Sequence, residues 1–100
     1  MRISDDLSMA ILETAREFFG NSCRVILFGS RVHDHLRGGD IDLLIESDLD
    51  ISEAVQKRWK FLARLCMRFG ERSYDVVLTQ NAQLDSRAVV QQALAFGVVL

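Results

Sequence analysis

An excess of basic charge, a long apolar run and a cysteine framework are all missing from this sequence. Twelve lysines and arginines stand against 14 aspartates and glutamates, for a formal net charge of −2. That leaves no basic field for a polyanion, so a DNA or RNA substrate is disfavoured. No apolar run reaches the roughly 18 residues of a membrane-spanning helix, and the N-terminus does not read as a signal peptide. Two cysteines, Cys23 and Cys66, make no disulfide framework and read as small buried hydrophobes. The expected setting is a reducing cytoplasm. Repeats, low-complexity segments and linkers are also missing, so residues 1–100 are expected to form one domain. His33 and His35 do not make a zinc site, because positions i and i+2 point apart on a helix and no cysteine joins them. The spacing of a Walker A loop is absent, and so is the G-x-S-x-G elbow that would make Ser30 a hydrolase nucleophile.

What is present is one stretch of unusual content, LFGSRVHDHLRGGDIDLLIE, from Leu27 to Glu46. An apolar run, Val25 to Phe28, breaks at Gly29-Ser30; after nine intervening residues, Arg31 to Gly39, Asp40-Ile41-Asp42 opens a second apolar run. The pattern predicts a strand, a turn into a short helix over 30–36, a turn at Arg37-Gly38-Gly39, and a second strand over 40–46. Residues i and i+2 of a strand share a face, so Asp40 and Asp42 lie side by side while Ile41, Leu43 and Ile45 face a core. Two adjacent carboxylates repel unless a cation sits between them, and Mg²⁺ suits one or two carboxylates plus substrate phosphates. The Gly29-Ser30 turn at a helix start offers backbone N–H groups and a hydroxyl to an anion. A cation site and an anion site on one element suit a metal-bound nucleoside triphosphate.

The remaining chain surrounds this stretch. Ser4 is placed to cap a helix over 4–19, with Leu7, Ile11, Ala15 and Phe18 on its apolar face and Glu13, Arg16 and Glu17 in solvent. A second helix runs from a cap at Asp50 or Ser52 to Phe69. Its predicted apolar stripe is Val55, Trp59, Leu62, Cys66 and Phe69, with Trp59 read as core rather than as a base-stacking platform. Lys57, Arg58, Lys60, Arg64 and Arg68 form its basic outer face, either solvated or docked to an acidic partner. A third strand over 73–79 puts Tyr74, Val76 and Leu78 on one face and Asp75, Val77 and Thr79 on the other. A carboxylate there needs a reason if it is buried; metal ligation, an arginine partner, or exposure at a sheet edge would each supply one. A last helix is expected over 84–96. The apolar Val98-Val99-Leu100 should dock, either as an edge strand, with the third strand's free edge as the expected place, or on a partner chain. The order α-β-α-β-α-β-α predicts an α/β (α+β) domain with helices mainly on one face of a small three-stranded sheet.

Gly29-Ser30-Arg31 followed by Asp40-Ile41-Asp42-Leu43 resembles the signature of the DNA polymerase beta-like nucleotidyltransferases, and the later strand carboxylate Asp75 fits the same pattern. The resemblance is nearest to the minimal nucleotidyltransferases of toxin–antitoxin pairs. It implies a mixed sheet and two Mg²⁺ ions held by Asp40, Asp42 and Asp75. It also implies ATP as substrate, with its phosphates on Gly29, Ser30 and Arg31, and AMP transfer to a hydroxyl. The implied acceptor is a tyrosine of a HEPN-domain partner. Two other readings stay open. One is a module that neutralises its partner by contact, towards which the spacer, one residue shorter than the commonest form, leans. The other is a stand-alone nucleotidyltransferase acting on a small molecule.

Overall fold

A computed structural model describes residues 3–29, 41–70 and 73–100. The first helix, α1, spans Asp5–Phe19, and Ser4 caps it by accepting from the Leu7 N–H at 3.1 Å. Strands β1 (Arg24–Phe28) and β2 (Ile41–Glu46) follow, then helix α2 (Ile51–Phe69) and strand β3 (Tyr74–Thr79). Asp50 caps α2 by accepting from the Ser52 N–H at 2.9 Å. A single 3₁₀ turn (Ala82–Leu84), helix α3 (Ala88–Phe96) and a two-residue strand β4 (Val98–Val99) complete the order. The predicted helix over 30–36 and the turn at Arg37-Gly38-Gly39 lie outside the described residues.

The sheet has four strands in the order β3-β2-β1-β4. β1 runs antiparallel to β2 and to β4, and β2 runs parallel to β3, so the sheet is mixed as expected and has one strand more. Alternation along the strands separates two cores. Val25, Leu27, Ile41, Leu43, Ile45, Val76 and Leu78 bury against α1 and α2 on one face. Ile26, Phe28 and Leu44 bury against Ala82, Val90 and Ala93 of the 3₁₀ turn and α3 on the other. α3 thus covers part of the face opposite the two longer helices.

Four sequence expectations change. Phe19 rather than Phe18 is the buried aromatic at the end of α1, and it meets Phe61 edge-on at 5.7 Å. On α2 the buried positions are Ala54, Phe61 and Leu65. The predicted stripe is rotated to the flank of that line, and Trp59 is 67% exposed rather than core. The basic face of α2 is only partly solvated. Arg64 pairs with Glu17 at 2.7 Å and Arg68 donates to Thr14 at 3.1 Å, both on α1, while Arg58 donates to the Val76 carbonyl at 3.4 Å. Finally, the expected helix over 84–96 begins only at Ala88, because Asp85 and Arg87 are used otherwise. Arg87 donates to Asp85 at 2.8 Å and to the Leu78 carbonyl at 2.6 Å, and Thr79 donates to Asp85 at 2.8 Å.

The terminal segment docks on the chain's own sheet, but beside β1 instead of β3, with Ile26 opposite Val99 and Leu27 opposite Val98. Gly97 makes this possible. A Cβ there would collide with Ile26 Cγ2 and the Ala93 carbonyl, so only glycine lets the chain leave α3 this close to β1. Leu100 adds an N–H bond to the Val25 carbonyl at 2.8 Å and packs on the main core.

Deleting residues 98–100 removes two half-buried aliphatic side chains and a short ladder. A loss of about 2–4 kcal/mol is expected, read as a lower Tm of the isolated chain. An unchanged Tm would show that β4 contributes nothing.

The Asp85 carboxyl is held well below the usual carboxylate range, first by its bond from Arg87 and then by that from Thr79. A depressed carboxyl contributes stability above its unfolded pKa, about 3.9, and loses it as pH falls through the folded value. Asp85→Asn should therefore lower Tm at pH 7 and flatten the fall in Tm between about pH 4 and pH 2. Parallel pH profiles for the two proteins would contradict this.

Candidate active site

Period-2 alternation decides where the candidate carboxylates go. Ile41, Leu43 and Ile45 point into the main core, so Asp42 must point to the opposite face, and it is half-buried there. On β3, Val76 and Leu78 take the core face, so Asp75 lies on the same side as Asp42. The register then sets them against each other. Asp42 is the Cα partner of Asp75 in the parallel pair and of Phe28 in the antiparallel pair, which makes one row, Phe28–Asp42–Asp75, across three strands. Neighbouring strands are about 4.8 Å apart, so the two carboxylates share one patch at the end of the sheet face that α3 partly covers.

Gly29 closes the near side of the patch. It follows Phe28 directly, with φ +77°, and a Cβ on it would overlap the Asp42 carboxylate. Only a glycine therefore lets the backbone leave β1 beside the Asp42 carboxylate without a collision. Of the predicted site residues, Gly29, Asp42 and Asp75 are brought together. Ser30, Arg31 and Asp40, and with them the expected phosphate contacts and the Asp40/Asp42 pair, lie outside the described residues, as do His33 and His35.

Asp75 is exposed, on the edge strand β3. The cost of a buried charge is thus not what accounts for it; edge exposure is. Its place in the row with Asp42 is the independent reason to keep it among the candidates. Beside it, on the α2 side of the edge, lies a groove of about 330 Å³ lined by Arg58, Trp59, Leu62, Tyr74, Asp75 and Val76. The sequence reading missed this groove, because it assigned Trp59 to the core.

A family model described as a nucleotidyltransferase domain matches residues 8–91, which include the whole Phe28–Asp42–Asp75 row. The chain belongs to the nucleotidyltransferase domain family. Its activity class is therefore nucleotidyl transfer, and domains of this family typically use a nucleoside triphosphate and a divalent metal. No curated protein and no solved structure matches the chain. Among the described residues no helix is long and apolar enough to cross a membrane.

The described donors fit such a metal in kind. Asp42 and Asp75 offer hard carboxylate oxygens from neighbouring strands, the ligand type that Mg²⁺ takes alongside substrate phosphates. Among the described residues no third histidine, cysteine or acid completes a cluster.

Gly29→Ala tests the close approach. The side chain would meet the Asp42 carboxylate and hold a left-handed backbone that costs about 1–2 kcal/mol in itself. Unfolding free energy should fall by at least that amount, read as a lower Tm, and nucleotide binding should weaken with it as Asp42 is displaced. A variant with wild-type Tm and binding would show that the turn has room to spare.

Proposed function

We propose that this nucleotidyltransferase domain moves AMP from ATP to a hydroxyl group in a Mg²⁺-dependent reaction, and that the hydroxyl belongs to a tyrosine of a HEPN-type partner protein. The observation that carries the reading is the alignment of Asp42 with Asp75 beside Gly29, within a chain of this family. The resemblance of Gly29-Ser30-Arg31 and Asp40-Ile41-Asp42 to the minimal antitoxin group supports the adenylyl donor and the partner. On this reading Asp40, Asp42 and Asp75 hold two Mg²⁺ ions, which when bound supply charge neutralisation for the attacking and leaving oxygens.

The chain's own residues then have distinct tasks. Gly29 and Ser30 present N–H and hydroxyl donors to the β- and γ-phosphates, and Arg31 neutralises charge there. Asp75, exposed on the edge strand, is open to an acceptor arriving from solvent and takes the proton of its hydroxyl. The acceptor oxygen bonds to the α-phosphorus as the bond from that phosphorus to the bridging oxygen breaks. Pyrophosphate leaves with its electron pair, and the acceptor keeps the AMP. Asp42, half-buried beside Gly29, has less freedom and serves to fix geometry.

The test is incubation with ATP labelled at the α-phosphate and Mg²⁺, with and without the product of the neighbouring gene. Label should appear on that protein and be lost with Asp42→Asn, which changes charge but not volume. A loss on the order of 10²–10³-fold is expected, the scale for removing one preorganised group that stabilises a transition state. Asp75→Asn should reduce transfer more than ATP binding. Full activity of Asp42→Asn would end the carboxylate reading. Label on a small molecule would point to a stand-alone enzyme, and no label under any condition to the contact-only module.

A further inference from the structure

The free edge of β3 differs from the other edge of the sheet. In β3 the carbonyls of Ser73 and Thr79 accept from Ile41 and Ser47 on the β2 side. Backbone groups alternate direction along a strand, so those of Val76 and Leu78 point outward, away from β2. No strand meets them among the described residues. Instead each carbonyl is met by an arginine, one from each face of the sheet. Arg58 of α2 reaches Val76 at 3.4 Å, and Arg87, ahead of α3, reaches Leu78 at 2.6 Å. Side chains can swing off, whereas a ladder strand cannot. The edge is covered but not consumed.

Next to this edge α2 overhangs. Its flank brings Trp59, 67% exposed, and Leu62 to the groove that also contains Tyr74 and Val76. The Arg58 guanidinium lies 5.9 Å from the Trp59 ring centroid and has no acidic partner among the described residues. Arg87, by contrast, already has Asp85.

We propose that the β3 edge is a docking site for an extended acidic segment of a partner protein, added to the sheet as a further strand. The segment's N–H groups replace the arginines at the Val76 and Leu78 carbonyls, and its carbonyls accept from the outward N–H groups of β3. An apolar or aromatic side chain enters the groove against Trp59 and Leu62. Arg58, released from Val76, takes a carboxylate of the incoming segment, which is why the segment is acidic. Main-chain bonds supply affinity and the groove supplies selectivity, as in strand addition generally. The groove shares Asp75 with the candidate active site, so a docked strand runs alongside that carboxylate, with its own acidic side chains on the Arg58 side.

The probe is a capped octapeptide in which glutamates alternate with valines around one central phenylalanine, titrated into the full chain without nucleotide. Binding should shift the emission of Trp59, the only tryptophan, and should slow hydrogen exchange at the Val76 and Leu78 amides. Methylating the peptide's edge-facing nitrogens removes the strand donors and should weaken binding at least about tenfold. Replacing its glutamates with lysines should do the same. Val76→Pro removes an N–H that points away from β2, so it should block the peptide while sparing the β2–β3 ladder. The proposal fails if the peptide leaves Trp59 emission and both amides unchanged. It fails if the methylated or lysine peptide binds equally well. It also fails if the two amides become protected with rising protein concentration alone, since the occupant would then be a second copy of this chain.

Discussion

The register between β2 and β3 is the constraint on which the rest of the structure depends. Because side chains alternate with a period of two, a slip of one residue would turn every inward side chain outward. Here Ile41, Leu43 and Ile45 are fully buried on β2, and Val76 and Leu78 are buried on β3. A slip would expose these large apolar side chains and drive Asp42 into the main core. Burial of a charge without partners costs far more than the strand pairing returns. Packing of the two long helices on one face therefore fixes the carboxylates on the other, although neither helix contributes to the row itself.

The connections explain how a small sheet achieves this. Parallel strands need a crossover, and α2, 19 residues long, is that crossover between β2 and β3. Its length exceeds what the short strands can cover, so its far end is held by α1 instead, through Arg64 to Glu17 and Arg68 to Thr14. At the opposite end of the sheet Glu46 does a comparable job. It pairs with Arg24 at 3.0 Å and accepts the Ala82 N–H at 2.7 Å, fastening the turn that leads into α3. One end of that sheet face is thus tied down by an ion pair and a backbone hydrogen bond to Glu46, and the other end carries Asp42 and Asp75.

Sequence reading recovered what local periodicity encodes and missed what depends on neighbours. The three main strands, and the side of β2 to which Asp42 points, follow from alternation of apolar residues alone; that Asp75 shares that side follows once β3's core face is known. That the two aspartates are direct partners does not, since register is set by the tertiary packing. The place of Gly29 against Asp42 is likewise invisible, because a glycine after a strand reads the same whether it is crowded or open. Trp59 was misplaced for a related reason. Its spacing to Val55 and Leu62 is helical, but a helix lying over an edge strand buries only part of a broad apolar face. Phase along α2 could be read to within a flank, not to the residue. The start of α3 failed because Asp85 and Arg87 form a local pair that competes with helix, a use of side chains that propensity does not reveal. Ser30, Arg31 and Asp40 were legible as a motif, and their geometry lies outside the described residues.

The two edges of the sheet show how the fold separates stability from access. Exposed edges invite pairing, and proteins blunt them with short strands, charges or cover. On the β1 side the chain uses its own backbone: β4 is only two residues long, yet it is continuous with α3 and locked by the tight passage at Gly97. Removing that cover means breaking main-chain hydrogen bonds and unpacking Leu100. On the β3 side the cover is two guanidinium groups, each giving up one hydrogen bond when it moves. The cheaper cover sits on the edge that also carries Asp75. On the proposed function an acceptor group comes near that carboxylate without unfolding its strand, and a side-chain cover permits approach at the cost of one or two hydrogen bonds, each worth about 1 kcal/mol net. A backbone cover on the same edge would have closed it.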